Sequence, residues 1–122
     1  MLSSPPVTRK DGILIMDSRH AIGAPQQHQG LLTVWNRLYK MGSLYLDLSL
    51  KRNESGAFLV GQVISAAQKP AAWRVTLHAP GYSRSSPINE YGNFRIQIPG
   101  KGGLELELTL ENEAFWVPGL DV

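Results

Sequence analysis

The sequence predicts an all-β fold, a single antiparallel β-sandwich of about seven strands, with a partly irregular or short-helical N-terminal segment before it. Three observations carry this expectation. Leucine recurs at every second position in Leu44-Tyr45-Leu46-Asp47-Leu48-Ser49-Leu50 and again in Leu104-Glu105-Leu106-Glu107-Leu108-Thr109-Leu110. That is the period of a strand with one buried face. Twelve glycines and eight prolines punctuate short apolar runs, which favours a turn-rich β-protein over a helical bundle. Each predicted strand hides one face from water, so two sheets must stack to bury the leucine, isoleucine and phenylalanine rows.

Along the chain, residues 1–12 are rich in proline and polar side chains and read as an arm. Ile13-Leu14-Ile15-Met16 is a short apolar run ending at Asp17-Ser18-Arg19, and its isoleucines suit a strand. Gly23 to Gly30 reads as a linker. Leu31, Val34, Trp35 and Leu38 fall at i, i+3, i+4 and i+7, the spacing of a helical stripe, and Gly42 supplies a stop. The competing reading is an extended strand, since Thr33, Val34, Trp35 and Tyr39 all tolerate β structure. A boundary is therefore set between an N-terminal segment, residues 1–42, and the sandwich, residues 43–122.

Within the sandwich, Arg52 to Gly56 is a turn and Phe58 to Ser65 a central strand, with Gly61 allowing close backbone approach. Ala66 to Ala72 is a loop. Trp73, Val75, Leu77 and Ala79 point one way, while Arg74, Thr76 and His78 point the other. Pro80 to Pro87 reads as a polar loop. Tyr91 to Ile98 is a strand with Phe94, Ile96 and Ile98 inward. Symmetric closure around Pro99–Gly103 predicts a hairpin with the Leu104 strand, bringing Phe94 near Leu108 and Arg95 near Glu107. A last short strand, Ala114 to Val117, ends at Pro118.

The order Leu59-Val60-Gly61-Gln62-Val63, Lys69-Pro70, Trp73-Arg74-Val75-Thr76-Leu77 and Asn89-Glu90-Tyr91-Gly92-Asn93-Phe94-Arg95-Ile96 resembles the carboxypeptidase regulatory-like, or transthyretin-like, family of small β-sandwiches. The resemblance covers Leu59 to Leu110 and rests on short motifs. It implies a prealbumin/Ig-like sandwich and a mostly non-catalytic role. A second resemblance rests on more degenerate motifs: Ile15-Met16-Asp17-Ser18-Arg19, Arg37-Leu38-Tyr39 and Gly42-Ser43-Leu44-Tyr45-Leu46-Asp47-Leu48. These look like a group of small bacterial proteins with this domain, encoded near RNA polymerase sigma factors, and imply an accessory role in regulation. Transthyretin-like hydrolases that open 5-hydroxyisourate end in Tyr-Arg-Gly-Ser. This chain ends Trp116-Val117-Pro118-Gly119-Leu120-Asp121-Val122, so their activity is not expected here.

Composition narrows the chemistry. With no cysteine, neither a disulfide nor a thiolate site can form. No basic stretch precedes an apolar one at the N-terminus, and no apolar run approaches a membrane span. A soluble cytoplasmic protein is the expectation. The charge is uneven: residues 1–42 carry +3, residues 43–101 carry +4 and residues 102–122 carry −5, totalling +2. His20, His28 and His78 show no metal-ligand spacing. Ser83, Ser85 and Ser86 lack a nucleophile elbow. The basic pairs Arg9-Lys10 and Lys51-Arg52 are isolated, so nucleic-acid binding is not expected.

No catalytic, cofactor or metal site is therefore expected. The function expected is a non-enzymatic protein-interaction or scaffolding module, which pairs with a protein partner or with a second copy through a strand edge. Trp35, Tyr39 and Tyr82 are the candidate partner-contacting residues, because rigid aromatics anchor interfaces. The alternative is an extracytoplasmic carbohydrate- or surface-binding module of the same fold.

Overall fold

The computed structural model describes residues 10–19, 27–28, 31–65, 73–99, 102–110 and 113–121. Eleven strands form two sheets: β1 (Lys10–Asp11), β2 (Ile13–Arg19), β3 (Gln27–His28), β4 (Leu31–Met41), β5 (Leu44–Asn53), β6 (Gly56–Ile64), β7 (Arg74–Ala79), β8 (Tyr82–Pro87), β9 (Asn93–Ile98), β10 (Gly103–Leu110) and β11 (Glu113–Asp121). One sheet has the order β1-β11-β10-β7-β8. The other has the order β2-β4-β5-β6-β9, with β3 also paired to β4. All pairs are antiparallel except β1 with β11. The all-β, two-sheet architecture agrees with the sequence expectation.

The two leucine ladders supply much of the interior. Leu46, Leu48 and Leu50 from β5 are buried with Leu104, Leu106, Leu108 and Leu110 from β10. Trp73, Val75 and Leu77 join them from the β7 side, and Phe115, Val117 and Leu120 from β11. Phe94 is 5% exposed and heads the inward row that includes Ile96 and Ile98, as its alternation predicts. Its ring lies over Gly61, its cross-strand partner on β6, where any Cβ would overlap the ring. At Gly92, φ is +82° and a Cβ would strike the Val63 carbonyl. Only glycine fits there without strain.

Three sequence expectations are corrected. Residues 31–41 form β4 and not a helix. Pairing on both sides imposes a period of two, and Trp35, Arg37, Tyr39 and Met41 share the inward face. The charge at Arg37 breaks that row when it is read as hydrophobicity, leaving the helical stripe more visible. A tight turn at Gly42-Ser43 joins β4 to β5, and the two strands pair from Leu32↔Arg52 to Met41↔Leu44. The polar stretch 82–87 is a strand, β8, closed onto β7 by the Pro80-Gly81 turn. Finally, β9 and β10 do not form a hairpin: β9 pairs with β6, and β10 with β7 and β11.

That last correction separates Phe94 from Leu108 and Arg95 from Glu107 onto different sheets. Both strands bury their apolar rows, β9 from the layer it shares with β6 and β10 from the layer it shares with β7 and β11. The chain after β9 therefore crosses between the sheets. The final strand also outlasts its expected end at Pro118. Pro118 and Gly119 sit in a bulge where Leu104↔Leu120 gives way to Leu106↔Val117, a place where proline costs no ladder hydrogen bond.

Candidate functional site

Chain connectivity decides where the most exposed apolar surface lies. β1 closes one sheet against β11, and β2 opens the other against β4, with Gly12 at the crossing. The Gly12 N–H donates to the Trp116 carbonyl at 2.8 Å, tying the crossing to β11. All seven residues of β2 are exposed. Ile13 is 66% exposed, Leu14 48%, Ile15 46% and Met16 60%. Among the described residues β2 pairs only with β4, so its far edge offers backbone N–H and C=O groups.

The second half of β2 is different in character. The register slips between Leu14 and Met16, which makes a bulge at Ile15. Asp17 then faces inward, with Oδ1 3.4 Å from Arg37 Nε. Arg37 is 7% exposed, and its guanidinium lies 4.3 Å from the Trp35 ring centre. Burial acts to lower the Arg37 pKa, but a hydrogen bond with Tyr39 and the charge of Asp17 outweigh it and hold the pKa above its ordinary value. The guanidinium is therefore a permanent charge beneath this edge. A bulge and inward charges are devices that stop a strand from pairing along its whole length.

The three residues expected to contact a partner occupy other places. Trp35 is completely buried and Tyr39 is 5% exposed. In the ladder they lie opposite Arg19 and Leu14, so they back β2 from the core and present no ring to solvent. Tyr82 is half-buried and packs against the core at the start of β8. Sequence reasoning missed β2 as the exposed surface. The available signal was four consecutive apolar residues, with no alternation to choose a buried face.

Two polar features lie on the outer faces. On the five-stranded sheet, His78 Nε2 is 2.8 Å from Glu107 Oε1, and the imidazole stacks on Trp116 at 5.1 Å between ring centres. Ser83 lies opposite His78 in the ladder. Ser85 is hydrogen-bonded to Thr76 at 2.9 Å. No hydrogen bond joins His78 to a serine among the described residues, so this pair lacks the relay a serine nucleophile needs. Nor do three His, Asp or Glu side chains among the described residues come together as a metal would require. At the other sheet, β5, β6 and β9, with Ser86, Pro87 and Asn89, line an open groove of about 660 Å3 that contains Asp47, Lys51, Gln62, Asn93 and Arg95.

No helix among the described residues is long and apolar enough to cross a membrane. Comparison with known protein families, curated proteins and solved structures finds no match to this chain.

Proposed function

We propose that this protein is a non-catalytic interaction or scaffolding module whose working surface is the Ile13–Met16 edge of β2. The observation that carries this reading is the exposure of four consecutive apolar side chains at a sheet edge. Water solvates such a row poorly, and a partner that covers it gains roughly 25 cal/mol for each Å2 of apolar surface removed. Ile13 and Met16 lie on the outer side, opposite Lys40 and Leu38 in the ladder, while Leu14 lies opposite Tyr39 on the inner side. A partner strand laid along this half of β2 would meet apolar side chains on both of its faces and the free backbone between them. Buried Tyr39 lies opposite Leu14 and ties that edge to the core, so less ordering is needed on binding. The partner is a protein strand, from another protein or from a second copy of this chain. The sequence resemblance to small bacterial proteins encoded near sigma factors makes a regulatory complex the setting to examine.

The test is copurification from the native host with the Ile13→Lys/Met16→Lys double variant, alongside sedimentation of the purified chain. The expected result is loss of the specific partner, or of self-association, with an unchanged melting temperature. Retention of the same assemblies by the double variant would reject β2 as the working surface.

The carbohydrate-binding reading draws on a different residue. Tyr91, 72% exposed in the turn before β9, offers a ring on which a sugar could stack. Titration of Tyr91→Ala against soluble oligosaccharides distinguishes it, since β2 variants leave that surface intact.

A further inference from the structure

Where the groove lies, the outer face of the six-stranded sheet presents three rows of side chains, and Ser86, Pro87 and Asn89 add a wall from the β8–β9 side. Asp47, Gln62 and Asn93 form one row across β5, β6 and β9. Ser49, Val60 and Arg95 form the next, and Lys51, Phe58 and Gln97 the third, of which Lys51 lines the groove. Opposite charges therefore stand at opposite ends of the space, with Asp47 at one end and Lys51 with Arg95 at the other. Asp47 and Lys51 are four residues apart on β5, about 13 Å along the strand.

The cationic end is already arranged. The Arg95 guanidinium lies 4.1 Å over the Phe58 ring, so it leans from its own row toward that of Lys51. A guanidinium over a ring face retains N–H donors for a planar carboxylate. Among the described residues no carboxylate forms an ion pair with Lys51 or Arg95. At the other end, Asn36 Nδ2 donates to Asp47 Oδ1 at 2.5 Å and to Ser49 Oγ at 2.8 Å. This fixes the Asp47 carboxylate, and it leaves the Ser49 hydroxyl hydrogen available for donation.

We propose that this groove binds a small zwitterion, a free amino acid or a peptide with free termini, by its carboxylate at Lys51 and Arg95 and its ammonium at Asp47. Its volume of about 660 Å3 lies within the range of small-ligand sites. Asp47 selects against a polyanion such as a nucleic-acid backbone, because each added phosphate would meet a fixed negative charge. It selects for a ligand whose second end is positive. The open shape and solvated charges set the affinity near the millimolar range. This inference is independent of the β2 reading, since the two surfaces share no residue.

The experiment is a backbone-amide NMR titration of the full chain with free glycine in one arm and triglycine in the other, repeated with N-acetylglycine. Saturable shifts at Gln62, Asn93 and Arg95 are expected, and the arm with the tighter binding identifies the source of the zwitterion. Lys51→Gln and Arg95→Gln should each weaken binding about tenfold, with melting temperatures unchanged. N-acetylglycine should bind more weakly than glycine to the native chain, but equally to Asp47→Asn. Absence of saturation in both arms at tens of millimolar ligand, or equal affinity in the Lys51→Gln and Arg95→Gln variants, would overturn the proposal.

Discussion

β2 and β9 are the two outer strands of one sheet, yet their side chains have opposite fates. In β9 exposure alternates strictly, with Phe94, Ile96 and Ile98 each at most 5% exposed. In β2 every residue is exposed, although its first four are as apolar as any in the chain. The opposite layer explains the difference. β9 is in contact with β8 of the five-stranded sheet, and Gly61 makes room for Phe94. Among the described residues β2 packs chiefly on its sheet neighbour β4, and β1, which leads into it, is two residues long. An apolar side chain at a sheet edge is thus core or surface according to how far the facing sheet reaches, and its own hydrophobicity does not decide.

The comparison is sharpest in stability. Phe94→Ala should cost about 3–5 kcal/mol through lost burial and a cavity. Leu14→Ala, at the other edge, should stay within about 0.5 kcal/mol. Chemical denaturation of both variants measures the contrast, and similar losses would erase the distinction between the edges. Gly61→Ala should cost about 1–3 kcal/mol by forcing the Phe94 ring aside. In a Phe94→Leu background the same substitution should cost clearly less, and simple additivity of the two would show that the ring is not what Gly61 accommodates.

Some of this was legible in the sequence. The leucine ladders of β5 and β10 and the rows of β7 and β9 announce their buried faces by strict alternation. β4 was disguised, because Arg37 sits in its inward row and breaks the hydrophobic pattern. The partnering of β9 was not readable, because Pro99–Gly103 can close a hairpin or cross between layers, and the alternating apolar rows of β9 and β10 suit either arrangement. The exposure of β2 was hidden for a related reason: a run of four apolar residues says nothing about whether another layer lies above it. The groove was hidden too, since Arg95 comes to the same face as Asp47 and Lys51 only when β9 aligns with β5 through β6.

Asp17→Asn should destabilise by about 1 kcal/mol, because it leaves the buried Arg37 without its neighbouring charge while Asp17 itself is 33% exposed. A neutral result would mean that the Tyr39 hydrogen bond alone suffices to hold the guanidinium. The smallest stability effect belongs to Ile13→Lys with Met16→Lys, within about 0.5 kcal/mol. Loss of folding in that variant would show that the β2 edge is covered in solution.

The most direct measurement places a photo-crosslinking amino acid at Met16 of β2 and, separately, at Gln97 of β9, in the native host. Both positions are exposed and lie on opposite edges of one sheet. Discrete adducts from position 16 with few or none from position 97 are the expected result. Equal labelling from the two edges, or adducts from position 97 alone, would contradict the claim that the uncovered edge is the working one.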